Sequence, residues 1–288
     1  IKFGTTGDYN VAVGVFTLGG SDINTGDHNI AIGRKSLFDN TSGSNNTAVG
    51  SSSLENNNTG GSNAAVGLCA LHANTTGSNN MAVGAEAARK LTTGGDNVVM
   101  GRSALLDGTT ALGNVALGNE AVENITTGQE NVGVGKHSLR SLTTGVNNVG
   151  IGRNAGTSSS PFTITSENSR LVLGDNNITN AYIAVAFTVV SDQRDKTNFG
   201  TVPHGLDFVN KLNPVSFQFK KSRENDTPHG DVRYGFKAQD ILALEGDNNV
   251  IIDNEQPEKL KYKSEHLVPV LVKAIQELTA RVKELEDK

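Results

Sequence analysis

Asparagine recurs with a fixed companion through the first half of this chain. Asn10, Asn29, Asn46, Asn63, Asn80, Asn97, Asn114, Asn131 and Asn148 each stand four residues before a glycine, from Gly14 to Gly152. The first interval is 19 residues and every later one is 17. A representative unit, residues 75–91, reads TTGSNNMAVGAEAARKL. Such a repeat constrains the fold strongly, because every unit must take the same local shape and bury its apolar side against its neighbours. Seventeen residues are too few for a helical hairpin, whose repeats run to ~33 or more. They suit one coil of a solenoid. A second glycine opens most units (Gly26, Gly43, Gly60, Gly77, Gly94, Gly128, Gly145), with Ala111 in its place once. Glycine and asparagine both tolerate positive φ and so fit corners. The x-Ala-Val-Gly stretch fits a short strand.

A small residue and then a larger apolar one follow the glycine: Ser36-Leu37, Ser53-Leu54, Ala70-Leu71, Ala104-Leu105, Ser138-Leu139. Nine coils stacked at ~4.8 Å would make a rod about 40 Å long, with equivalent asparagines able to form a hydrogen-bonded ladder. Apolar positions are few in each coil. A thin core shared by several chains is therefore expected. The repeats resemble the head repeats of trimeric adhesins, and more closely the N-x-A-V-G-x-x-A-L repeats of phage tail fibres.

Charge divides the chain. Residues 1–160 carry 9 basic and 11 acidic side chains; the shorter stretch 191–288 carries 15 and 17. Such a shift marks a domain boundary, and NAGTSSSPFTITSENS, 154–169, reads as the transition. The expected division is a repeat shaft over 1–153, a β-rich connector over 154–190 and a separate domain over 191–288. Within the connector, Leu171 to Leu173 read as a strand and Gly174 to Asn177 as a turn. Tyr182 to Val190 read as a buried strand. The apolar run 181–190 is too short to span a bilayer. No signal peptide is visible, and the start at Ile1 without Met is expected of a piece of something longer.

A single cysteine, Cys69, excludes a disulfide framework. The histidines do not cluster like metal ligands and no phosphate-binding glycine loop is present, so neither metal nor cofactor is expected. The net charge of -5 argues against non-specific nucleic-acid binding.

In the last third, Leu206, Val209 and Leu212 have helical spacing ahead of Pro214, and Val215, Phe217 and Phe219 alternate as a strand. Residues 222–233 read as a polar loop, 234–244 as an extended stretch turning helical near Ala238, and 249–263 as a hairpin. A long helix over 264–287 follows, with Ser264 as its N-cap and Pro269 early enough to be tolerated. On it Leu271, Ile275, Leu278, Val282 and Leu285 step 4-3-4-3 as a coiled-coil seam, which Val268 extends backward. By residue type alone the seam leans to two strands rather than three, and it is too short to be stable alone.

Four blocks in order carry a second resemblance: Ser191-Asp192 with Arg194 and Lys196; Leu212-Asn213-Pro214-Val215; Gly235-Phe236 with Ala238-Gln239; and Leu267 through Leu278. Over roughly 185–288 the chain closely resembles the C-terminal intramolecular chaperone of phage endosialidases and tail fibres, a family that cleaves itself. The resemblance implies a homotrimer whose chaperone part helps three chains enter a β-rich stalk. It also implies a cut between Val190 and Ser191. The whole would be mainly β: a trimeric parallel β-solenoid followed by a small α/β chaperone ending in a coiled-coil helix. Its setting would be the tail fibre of a virion, bound to the rest of the tail and to a bacterial surface receptor, with no nucleic acid and no membrane insertion.

Ser191 Oγ could attack the Val190 carbonyl, with Lys196, five residues on, as base once burial lowers its proton affinity. Backbone N–H groups or Arg194 could hold the oxyanion, and Asp192 could orient the turn. Read without the resemblance, Ser191 and Asp192 are a cap or turn and Lys196 a solvated charge. His204, His229 and His266 are weaker candidates for helpers. Two rivals stand beside self-cleavage: an adhesin whose trimerisation domain stays attached, and a polysaccharide-degrading spike. The spike needs paired carboxylates, and none stand out in 1–160.

Overall fold

The computed structural model describes residues 6–20, 24–184, 191–247 and 249–288. It divides into two compact units, Ile1–Ile178 and Thr179–Lys288.

The first unit is a parallel β-solenoid. Its three-residue strands are β1 (Val11–Val13), β2 (Ile30–Ile32), β3 (Thr47–Val49), β4 (Ala64–Val66) and β5 (Met81–Val83). They continue as β6 (Val98–Met100), β7 (Val115–Leu117), β8 (Val132–Val134), β9 (Val149–Ile151) and β10 (Leu171–Leu173). All ten form one sheet in sequence order. Each pair is parallel and in repeat register, so that Ala48 faces Ala65 and Ala65 faces Ala82. The middle residue of each strand from β2 to β7 (Ala31, Ala48, Ala65, Ala82, Val99, Ala116) points into the coil and is buried. Leu37, Leu54, Leu71, Leu105 and Leu139 fill the space behind the sheet with none of their surface exposed.

This interior revises the thin-core expectation: the leucine column is fully covered within one chain. Alanine on the strand leaves room for leucine on the opposite wall, so a narrow coil still packs tightly. What one chain leaves uncovered is the outer side of the sheet. Ile30, Ile32, Val66, Met81, Met100 and Ile151, at first and third strand positions, are exposed.

The corners hold a surprise. After Gly50, Ser52 and Leu54 both take left-handed backbone angles, φ 57° and 49°, as do their equivalents Cys69 and Leu71. An L-residue there costs about 1 kcal/mol or more. The conformation is held by neighbouring coils: Ser52 donates its N–H to Arg34 O (2.8 Å) and Leu54 to Ala70 O (3.0 Å). Gly50 itself is obligatory for a different reason. At φ 137° a Cβ would stand 2.3 Å from the carbonyl oxygen of Gly67 in the next coil.

The asparagine ladder is present. Each backbone N–H donates to the side-chain oxygen one coil back: Asn46 to Asn29 (2.9 Å), Asn63 to Asn46 (3.0 Å), Asn80 to Asn63 (3.0 Å). The side-chain NH2 donates to the carbonyl of the coil-opening glycine, as Asn63 does to Gly77 (2.8 Å). A second ladder, unread in the sequence, runs through Asn24, Asn40, Asn57 and Asn74, with Asn57 donating to Asn40 (2.8 Å) and Asn74 to Asn57 (2.7 Å). It stops where Leu91 takes the next place. Its two ends carry the unpaired atoms: Asn24 Nδ2 and Asn74 Oδ1 are buried without a partner. Residues 154–170 form a longer last coil, in which Ala155, Phe162 and Ile164 close the bottom of the core.

Near the start of the second unit Tyr182 and Ile183 are exposed and outside any strand. The expected buried strand is thus absent over 182–184, and 185–190 lie outside the described residues. A one-turn 3-10 helix spans Gln193–Asp195, followed by α1 (Leu206–Val209), β11 (Val215–Ser222), β12 (Asn225–Gly235) and α2 (Ala238–Glu245). Next come β13 (Ile252–Asp253), β14 (Lys261–Tyr262) and α3 (Leu267–Glu286). Phe208, Ile241, Ile251, Ile252, Leu267 and Val270 form the core.

Two local readings are corrected. Most of 222–233 is strand: β12 pairs antiparallel with β11, with a bulge between Phe217 and Phe219. β12 is exposed along nearly all of its length, so no apolar run marked it as a strand. The long helix is not capped by Ser264, which starts a 3-10 turn, Ser264–His266. His266 occupies the cap position of α3 without a side-chain bond, and Pro269 falls in the first turn, where no N–H is missed.

Candidate functional site

Asp192 starts the 3-10 turn at 193–195. Its extended backbone and its Oδ1, which accepts the Arg194 N–H at 2.8 Å, make it the cap of that turn. The Asp195 N–H bonds Asp192 O at 3.2 Å, and the Lys196 N–H bonds Gln193 O, also at 3.2 Å. The chain thus folds back on itself, and Lys196 Nζ donates to Ser191 Oγ at 2.6 Å. Arg194 lies on the Asp192 carboxylate: Nε is 3.1 Å from both oxygens and Nη2 is 2.6 Å from Oδ2. That contact, joined by the backbone N–H, holds the Asp192 carboxyl below its usual range, and Asp192 raises the guanidinium in return. All four side chains are exposed in the single chain. Val190 lies outside the described residues.

The histidines stand in other settings. His204 stacks on Phe208 at 4.2 Å between ring centres. His229 sits in β12 with its Nε2 enclosed and unpaired. His266 lies 3.7 Å from Glu265. Among the described residues none of them hydrogen-bonds Ser191 or Lys196.

α3 has two apolar sides. Leu267, Val270 and Ala274 are buried in the unit. The seam residues Leu271, Ile275, Leu278, Val282 and Leu285 face water, with Ile275 63% and Leu285 70% exposed. Between these sides the helix holds the stretch downstream of Lys196. Lys273 Nζ donates to Val202 O (2.6 Å) and Glu277 Oε2 accepts the Leu206 N–H (2.7 Å). Sequence reading singled out neither Lys273 nor Glu277. It missed Glu245 as well, whose buried carboxylate accepts three backbone N–H groups, from Val250 (2.8 Å), Ile251 (2.7 Å) and Ile252 (2.9 Å). An acidic residue at a helix C-terminus, against the dipole preference, was the available signal.

The solenoid's grouped carboxylates are engaged with cations. Glu55 binds Lys35 (2.6 Å) and approaches His72 (3.6 Å). Burial raises its carboxyl, but the Lys35 and Ser52 hydrogen bonds outweigh this and hold it low. Glu120 meets His137 and Arg140 at 3.0 and 3.1 Å. Among the described residues no group of three His, Cys, Asp or Glu could hold a metal, and no helix is long and apolar enough to cross a membrane.

A serine and a lysine in contact at the start of a small α/β unit, downstream of a β-solenoid, define a class before any comparison: a repeat solenoid with an appended small domain. Residues 191–250 match the family model described as the chaperone of endosialidase. The C-terminal region is therefore of the endosialidase-chaperone type, and the body that it follows is a tail-fibre-like β-solenoid. No curated protein and no solved structure matches the chain.

Proposed function

We propose that this chain is part of a phage tail fibre that attaches to a bacterial surface. Its C-terminal domain brings three copies into register and is then released by cleavage between Val190 and Ser191. The observation that carries the cleavage is the 2.6 Å contact between Lys196 Nζ and Ser191 Oγ.

The reaction balances within the chain and one water. Neutral Lys196 takes the Ser191 hydroxyl proton as Oγ adds to the Val190 carbonyl carbon. The tetrahedral oxyanion collapses, the C–N bond breaks, and the lysine proton passes to the departing Ser191 nitrogen. The ester left between Val190 and Ser191 Oγ is hydrolysed by water to a Val190 carboxylate and a free hydroxyl. Exclusion of water lowers a lysine's proton affinity and so frees it to act as a base. Three-chain assembly supplies that exclusion, so cutting follows assembly.

Association has two supports: the uncovered seam on α3, and the apolar outer column of the solenoid sheet. A continuous apolar column of this kind marks an interaction surface, and its regular spacing suits a second copy with the same repeat. Equivalent coils can pair one unit out of step at little cost. A folded domain at one end sets the phase, and its removal makes the assembly irreversible and kinetically stable. A second reading, a permanently attached trimerisation domain on an adhesin, is favoured by the exposure of Ser191 and Lys196 in the single chain.

A denaturing gel of the fully boiled chain separates the two. Pieces 1–190 and 191–288 are expected from the unaltered chain and a single band from Ser191→Ala. One full-length band in both favours the attached domain, and cutting that persists in Ser191→Ala removes Ser191 as nucleophile.

A further inference from the structure

Arg194 is a candidate for oxyanion binding by sequence, yet its guanidinium is committed to Asp192. We propose that Arg194 is a positioning residue for self-cleavage: its guanidinium holds the Asp192 carboxylate that caps the 192–196 turn, and so keeps Lys196 on Ser191. This rests on the cleavage reading above.

The geometry leaves little else to do this. The turn is a single 3-10 turn, Gln193–Asp195, with no buried residue. Such short pieces have weak hydrogen bonds of their own. Among the described residues, no hydrogen bond or ion pair from another element reaches 191–196. What fixes the backbone is the Asp192 cap, and what fixes the Asp192 side chain is the guanidinium fork.

The fork itself is what the position requires. A lysine at 194 supplies charge but no bidentate contact with both Asp192 oxygens.

The test uses the full chain and follows the appearance of fragment 191–288 from about pH 6 to about pH 10, with thermal unfolding as a control. Arg194→Ala is expected to slow cleavage about tenfold at every pH, with the melting temperature unchanged. Arg194→Lys recovers only part of the rate, because it restores the charge without the fork, and Asp192→Asn, which removes the carboxylate that the fork holds, is slowed as much as Arg194→Ala. An unchanged rate in Arg194→Ala, or full recovery in Arg194→Lys, would refute the clamp. If the unaltered chain is never cut, or Ser191→Ala is cut equally, the cleavage reading fails first and this inference falls with it.

Discussion

The two units meet the same demand, burial of apolar surface, in opposite ways. The solenoid repeats one small solution. Leu37, Leu54, Leu71, Leu105 and Leu139 occupy the same interior position, each covered by coils above and below. Backbone polar groups are answered by the ladder from Asn29 to Asn148, coil after coil. The C-terminal unit has no repeat and builds one irregular core around Phe208, Ile241 and Leu267. Having done so it still leaves Leu271, Ile275, Leu278, Val282 and Leu285 in water. A repeated coil gains redundancy but no means of counting. In the proposed assembly the irregular domain provides the single alignment point, with its uncovered seam as the contact.

Substitutions sharpen this contrast. The largest effect is expected from Leu271→Glu with Leu278→Glu. Each chain should keep its fold, because neither residue belongs to the domain core, while association is lost. Sedimentation alongside circular dichroism checks both halves of that statement. Leu71→Ala, in the middle of the solenoid, should leave association intact and lower stability by about 2–5 kcal/mol, measured by denaturant unfolding. Glu245→Gln should cost about 1–3 kcal/mol, because the amide keeps one acceptor oxygen and turns an NH2 toward an N–H group that the second carboxylate oxygen accepted. Asn57→Leu should cost more than Asn74→Leu, whose Oδ1 already lacks a partner. A difference of about 1 kcal/mol between the two is expected.

The smallest effect is a pH effect. Burial raises the Asp175 carboxyl, but the Asn177 and Asn154 hydrogen bonds and the Arg153 charge hold it below its usual value. A carboxyl depressed in the folded state stabilises above its unfolded value, about 3.9. That stabilisation is lost as pH falls through the folded value. Amide exchange at β10 should therefore rise in acid below about pH 4, and not do so in Asp175→Asn.

Period is the reason that the solenoid was legible. Ala48, Leu54 and Asn46 recur at 17 residues, and one position explained is every position explained. The second ladder was hidden because only Asn24, Asn40, Asn57 and Asn74 share it, before Leu91, Ile125 and Leu142 take over the column. Left-handed leucines were hidden because only the stacked coils make that conformation tolerable. In the C-terminal unit the alternation of Val215, Phe217 and Phe219 announced β11, whereas its partner is exposed along nearly all of its length. The spacing of Ser191 and Lys196 is written in the sequence. Their contact depends on the turn capped by Asp192, and the roles of Lys273, Glu277 and Glu245 exist only in three dimensions.

The most direct measurement is sedimentation equilibrium of the full-length Ser191→Ala chain, in which release of the C-terminal domain cannot obscure the mass. A species of three times the 30.2 kDa chain is expected, falling to one chain when Leu271 and Leu278 are both replaced by Glu. A well-folded single chain of 30.2 kDa at working concentration, with its seam intact, would contradict it.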